Sequence, residues 1–367
     1  MGRIFSVPAL ALLLFSGCGK FFVADETTST STTSSSSTAD YVYVMNEGSS
    51  GAGTIAGYSL SSGSLTSVSG SPYSVGYEPT VAYVRPGDDL LYVGSAISGG
   101  IYCYTIGSGG ALSAENSGSA VASVLPVAMT IDPSGDFLAV LLDDYTTVMV
   151  YQINTSTGAL TSVGSGTAQA GGAGAALLFT PNEDNLYVAT GTGGLSIFTF
   201  DSSTGAITDT GGRIAAGSAI SFNSLASDSS SEYLLIARSG TNAGVDVHTI
   251  TTNGALESGT IYSAQTGPWS LAFNSGSTDL YVANKGSSTV SEFSFSSGVL
   301  TLLTSTPAST ASTPVAVAAD SSGDYLLALS SGGTPNLKVF SFSSGVLESA
   351  SSVSSTGTNP IAMAVTH

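Results

Sequence analysis

Of the five basic residues between positions 40 and 367, three are gathered by the pattern of the chain: Arg213, Arg238 and Lys285. A guanidinium offers a carboxylate two parallel hydrogen bonds, so such a group suits a small carboxylated or sugar-like ligand. The same offsets bring Glu47, Glu78, Asp143 and Asp144 to that end as an acidic side. They also bring Asn46, Asn223, Asn284, Asn359 and Trp269, the only tryptophan. Arg213 and Arg238 would enter and leave the inner strands of one repeat at the same end, which predicts that they lie near each other. The alternative is that these charges only solvate the surface.

Other chemistry is excluded by what the chain lacks. It has two histidines, His248 and His367. His367 is the last residue, and His248 falls in a slot where other repeats place Tyr58, Tyr104, Tyr151, Phe198, Phe293 and Phe340, so it is expected to pack as a ring. Neither suits a general base, which argues against a Ser-His-Asp triad or a His-based metal site. Glu47, Glu78, Asp143 and Asn46 lack the compact spacing of a metal loop. The Gly-rich stretches read as turns rather than nucleotide-binding loops, so no cofactor and no metal are expected.

The elements that must position these residues are repeats. An apolar run ending in a turn signal recurs at Tyr43, Tyr92, Ala139, Tyr187, Leu235, Tyr281 and Leu327, in steps of 49, 47, 48, 48, 46 and 46 residues. Short β-type segments at a period near 47 predict propeller blades, sheets that bury both faces only when neighbours stack on them. Thirteen residues before four of these positions stand Pro79, Pro126, Pro268 and Pro314, each opening an apolar run, here strand A. Proline fits a strand's first residue because its missing N–H is not needed there. Gly174 and Phe222 take that slot elsewhere. Strand B is the recurring run itself. Strand C follows at 55–60, 101–106, 148–153, 195–200, 245–250, 290–295 and 337–342, and strand D follows a Ser/Thr/Asn-Gly turn. The prediction is an all-β protein, a seven-bladed propeller of four-stranded antiparallel blades.

The first repeat begins at a B strand, Tyr41–Val44, and the chain ends with an unpaired A strand from Pro360 to Val365. Pairing the two would close the ring and remove two exposed edges. Residues 40–367 are therefore expected to form one propeller.

Residues 1–17 read as a signal peptide: Arg3, an apolar stretch from Ile4 to Phe15, then Ser16-Gly17-Cys18. This resembles a bacterial lipoprotein signal, which implies lipidation of Cys18 and attachment to the membrane through that lipid only. An ordinary secretory peptide cut elsewhere is the alternative. Residues 18–39, rich in Ser and Thr, read as a flexible tether. Gly19 after the cysteine resembles the sorting pattern for an outer membrane where the host has one. Cys103 takes a core slot of strand C and is read as a small hydrophobe. A formal charge of −18 argues against nucleic acid, because phosphate binding needs a basic footprint. The expectation is an exported monomer whose partner is a small carboxylate, a sugar or a protein.

The Tyr-Val-Ala-Asn at 281–284, its relatives in the other repeats and the framing by Pro and Asp-x-x-Gly-Asp turns resemble the YVTN-repeat propellers of the lactonase family, which includes 6-phosphogluconolactonase-like proteins. The resemblance covers residues 40–367 and implies the fold. It also implies a site at one mouth of the ring, with arginine, glutamate and often histidine as actors, of which histidine is nearly absent here. Two function classes follow. One is a binding module for a ligand, glycan or protein. The other is a lactone hydrolase in which Glu47 or Glu78 positions water and Arg213 or Arg238 steadies the oxyanion. A phosphorylated sugar lactone is a cytoplasmic metabolite, so export points to an unphosphorylated one.

Overall fold

The computed structural model describes residues 40–48, 53–172, 174–343, 346–353 and 355–366; the expectations for residues 1–39, Cys18 included, and for His367 fall outside them. The described chain forms seven antiparallel sheets. The first contains β1 (Asp40–Asn46), β2 (Thr54–Ser61) and β3 (Ser64–Ser67), with the short β4 (Tyr73–Ser74) also pairing with β2. The second contains β5 (Val81–Val84), β6 (Leu90–Gly94), β7 (Ile101–Ile106) and β8 (Leu112–Ala114). The third contains β9 (Pro126–Ile131), β10 (Phe137–Leu142), β11 (Thr147–Ile153) and β12 (Leu160–Thr167). The fourth contains β13 (Ala175–Phe179), β14 (Asn185–Thr190), β15 (Leu195–Asp201) and β16 (Ala206–Ile214). The fifth contains β17 (Ile220–Ser227), β18 (Tyr233–Gly240), β19 (Gly244–Thr249) and β20 (Thr260–Ser263). The sixth contains β21 (Pro268–Phe273), β22 (Asp279–Asn284), β23 (Thr289–Ser296) and β24 (Val299–Leu302), with β25 (Ala308–Ser309) on β23. The seventh contains β26 (Pro314–Ala319), β27 (Tyr325–Ser330), β28 (Leu337–Ser343) and β29 (Val346–Val353).

The last strand, β30 (Pro360–Val365), returns to the first sheet and pairs with β1, Val42 opposite Val365 and Val44 opposite Met363. One blade therefore holds both ends of the ring. The innermost strands β30, β5, β9, β13, β17, β21 and β26 follow one another around a central bore.

Each B strand reads as a continuous apolar run because neighbours cover both of its faces. Residues 91–93, 138–141, 186–189 and 234–237 are all 0 % exposed. The buried side chains fall into seven clusters, one per seam between adjacent blades. A repeated latch joins blades across these seams. Tyr43, Tyr92 and Tyr187 donate their hydroxyls to the carbonyls of Gly110, Gly158 and Gly254, each in the C–D turn of the next blade, at 2.7, 3.0 and 2.8 Å. Such a bond contributes about 1 kcal/mol. Gly110 sits at φ +75°, and a Cβ there would lie 2.2 Å from the Tyr41 ring, so that turn needs glycine for conformation and for space.

Two details depart from the sequence reading. β5 starts two residues after Pro79 and β17 two residues before Phe222. In the fifth blade the outer strand is Thr260–Ser263 rather than the Gly254-Ala255-Leu256 segment, which makes only an isolated bridge from Leu256 to Ile250. Local turn chemistry marked the corner there, and packing chose the pairing.

Candidate functional site

The end of the bore where A strands begin and B strands finish is shaped by bulges. In five blades one A-strand residue drops out of the ladder: Ile361, Val127, Asn223, Trp269 and Val315. In each case it is the residue after the slot that holds proline or Phe222. A bulge re-aims the extra side chain, and all five line one cavity of about 300 Å³ at this mouth, together with Thr80 and Ala175 from the other two blades. The ring thus takes one residue from every blade.

Most of that ring is aliphatic, so its polar chemistry comes from a few groups. Lys285, the first residue beyond β22, places Nζ 3.6 Å above the centroid of the Trp269 ring. Its backbone N–H donates to the Gly267 carbonyl at 2.8 Å, which fixes the loop. Burial pushes the Lys285 ammonium below its usual pKa. No ion pair ties it to a carboxylate among the described residues. Asn223 holds the wall: its Nδ2 donates to the Pro268 carbonyl at 2.8 Å and to Ser239 Oγ at 2.9 Å, and its Oδ1 accepts from Ser221 at 2.8 Å. The bond to Pro268 ties blade five to the residue before Trp269. Tyr145, at φ +53° in the β10–β11 turn, completes the cup.

The expected acidic side sits around this cup rather than in its wall. Glu47 accepts from the Asn359 side chain while its N–H bonds the Asn359 carbonyl at 3.0 Å, so both residues serve ring closure. Glu78 accepts from the Ser98 hydroxyl. Asp144 caps its own turn. Burial works upward on its carboxyl, but the Thr147 hydroxyl and the Thr146 and Thr147 amides outweigh it and hold the pKa down to about 2. Asp143 is exposed on the same turn. Asn284 is fully buried, with Nδ2 donating to the Val282 carbonyl at 3.1 Å and to Ser291 at 2.9 Å. Asn46 similarly exchanges bonds with Thr356 at 2.9 and 3.0 Å.

Neither of the two arginines lines the cup. Arg213 lies in β16, which runs on to Ile214 as the outermost strand of its blade, and it pairs there with Asp209 at 2.8 Å. Arg238 is buried in β18 opposite Phe222 and Gly244. It faces the seam with blade four alongside Leu234 and Ile236. Its Nη1 reaches Asp246 at 3.4 Å and its Nη2 the Thr241 carbonyl at 3.5 Å. Each cation is met by its own aspartate, so the predicted basic side reduces to Lys285.

Sequence reasoning missed Asp246, Glu292 and Tyr145. Asp246 and His248 are i and i+2 on β19, hence on one face, and the hairpin register sets that face under Arg238. His248 is buried as expected, but it is not merely a packed ring. Its Nε2 lies 3.3 Å from Asp246 Oδ1, too misaligned for a hydrogen bond, and its Nδ1 pairs with the Glu257 carbonyl at 2.8 Å. Burial opposes a charged imidazole, yet the Asp246 contact and the Glu257 carbonyl outweigh it and raise the pKa above the ordinary histidine value. Glu292 is 1 % exposed and stands in the strand C slot that elsewhere holds Gly57, Cys103, Val150, Ile197, Val247 and Val339. Its Oε2 accepts from the Leu347 N–H of blade seven at 3.0 Å, Oε1 has no partner among the described residues, and burial raises its pKa. Cys103 is a buried free thiol whose pKa burial pushes up to about 12, which makes it inert as expected.

The family model described as lactonase, 7-bladed β-propeller, matches residues 38–175. No curated protein matches the chain. Among solved structures, a candidate 6-phosphogluconolactonase of Bacteroides fragilis aligns with TM-score 0.74 at 15% identity, covering 91% of this chain and 99% of that one. A periplasmic gluconolactonase of Pseudomonas aeruginosa aligns with TM-score 0.69 at 16% identity, covering 90% and 99%. A Lactobacillus plantarum protein aligns with TM-score 0.73 at 18% identity, covering 90% and 99%. At these identities the likeness is one of fold.

Proposed function

We propose that this chain, a lactonase-type seven-bladed β-propeller, is a cell-envelope lipoprotein whose mouth binds a small anionic, sugar-like ligand. The observation that carries the reading is Lys285, stacked on Trp269 in the cup and matched by no carboxylate among the described residues. A cation so placed gains from an anion, and an aromatic face beside it suits the C–H face of a sugar ring. A volume of about 300 Å³ lies at the small end of ligand pockets, the scale of one monosaccharide. The lipoprotein part rests on the sequence up to Cys18 and on the Ser/Thr tether, and Cys18→Ser would move the protein out of the membrane fraction.

A second reading, lactone hydrolysis, is favoured by the gluconolactonase names of two structural neighbours and by Glu78 and Glu47 at the same end of the ring. In it the Lys285 ammonium would steady the oxyanion formed when water adds to the lactone carbonyl. Calorimetric titration of the full chain with gluconate, glucose and glucono-lactone separates the readings. Binding of gluconate ahead of glucose, with no turnover, supports a binding module. Turnover lost in Lys285→Gln and Glu78→Gln supports the hydrolase, and binding of none of the three overturns both.

A further inference from the structure

We propose that Lys285 is a reactive amine that forms an imine with small aldehydes or ketones entering the mouth, the open-chain form of a short sugar being the class that fits. The proposal shares the cup described above but needs no anion in it.

Three features set Lys285 apart from an ordinary surface lysine. It opens into a cavity of about 300 Å³, large enough for a small carbonyl compound. Its side chain lies against the Trp269 ring, and its loop is pinned to Gly267, so the amine is presented in one direction. No carboxylate pairs with it among the described residues, so no fixed anion holds the proton on. The Trp269 face favours the ammonium, but burial works the other way and lowers the pKa, which enlarges the neutral fraction. A partly desolvated amine of this kind is how proteins make lysine nucleophilic.

The step balances without a redox partner. The Nζ lone pair attacks the carbonyl carbon and forms the C–N bond, and one amine proton passes to the former carbonyl oxygen through solvent. The resulting carbinolamine loses that oxygen as water when the C=N bond forms. Carbonyl compound and amine thus give imine and water. Carboxylates in the cup would oppose the reaction by holding the ammonium form, which links this chemistry to anion binding as a competition.

The chain supplies its own control, since the described residues contain one other lysine, Lys338. Lys338 is half-buried like Lys285, but it lines no part of this cavity: its Nζ donates to the Ser309 carbonyl at 2.8 Å and lies 5.9 Å from the Phe340 ring centroid. The experiment is reductive trapping on the full chain. Glyceraldehyde and cyanoborohydride are added near pH 7.5, and alkylation at each amine is read by peptide mass spectrometry. The expected result is severalfold faster labelling of Lys285 than of Lys338, a preference that disappears in urea and is slowed by gluconate. Lys285→Arg should keep the stack on Trp269 and lose the fast label. Equal or slower labelling of Lys285 in the native chain, or a preference that persists in urea, overturns the proposal. Because glyceraldehyde is neutral, that failure leaves the gluconate titration to be judged by itself.

Discussion

Arg238 and Lys285 occupy almost the same place in neighbouring blades and do opposite things. Counted from the buried centre of the B strand, Leu235 or Tyr281, Arg238 is the third residue on and Lys285 the fourth. The third position points into a seam: Asn46, Ser95, Thr190, Arg238, Asn284 and Ser330 are all buried there. A charge in that slot has to be matched inside the protein, and Asp246 does so. One residue further, Lys285 has left the sheet and opens on the mouth, with its charge available to a ligand. In a repeat fold a step of one residue decides whether a cation belongs to the scaffold or to the site.

The comparison breaks first at Asp246. Asp246→Ala leaves the Arg238 guanidinium buried with no counter-charge, and loss of one member of a buried pair costs about 3–5 kcal/mol. Chemical denaturation should show that loss, while the double replacement Arg238→Met with Asp246→Leu should recover most of it. The opposite sign is expected at Glu292, where the charge has no cation. Glu292→Gln should stabilise the protein at neutral pH by about 1–3 kcal/mol, the scale of an unsatisfied buried polar group. Because the folded pKa of Glu292 is raised, its contribution is fully present below the unfolded value of 4.5 and is lost as pH rises through the folded value. Denaturation midpoints measured across that window should fall in the wild type and flatten in Glu292→Gln.

His248 gives a smaller effect in a higher window. Its folded pKa is raised, so the stability it adds is fully present below about 6.5 and is lost as pH rises through the folded value. His248→Phe, which restores the ring found in other blades, should remove that slope. Urea titrations of the two proteins from pH 5 to 9 would show it, and parallel curves would count against a charged His248 in the seam.

The fold was legible because it is written seven times. The spacing of Tyr43 to Leu327, the prolines that open A strands at 126, 268 and 314 and the orphan strand at Pro360 are redundant signals, and all three agree with the sheets observed, Pro79 alone standing two residues ahead of its strand. The site is written once, in features that repeat averaging conceals. Trp269 and Asn223 reach the mouth through bulges, which shift a strand by one residue and leave its composition unchanged. Arg213 was misplaced because β16 runs nine residues, past the point where its opening turn suggested an end. Asp246 beneath Arg238 could have been found from the hairpin register, since Gly244 pairs with Arg238 and Asp246 is the next residue on that face. Lys285 and Trp269 were both named, but their contact depends on a loop conformation that no periodicity encodes.

At the mouth the stability cost should be the least. Lys285→Gln removes no buried pair and should change stability by about 0.5 kcal/mol or less, as for substitutions away from a packed network. Its effect should appear in ligand response, and there one measurement bears on the central claim: thermal unfolding of the full chain with and without gluconate at two salt concentrations. The account predicts that gluconate raises the melting temperature by mass action and that salt weakens the shift. It also predicts that Lys285→Gln abolishes the shift while Arg213→Gln leaves it intact. A shift that survives Lys285→Gln and disappears in Arg213→Gln, or no shift with any of the proteins, would contradict it.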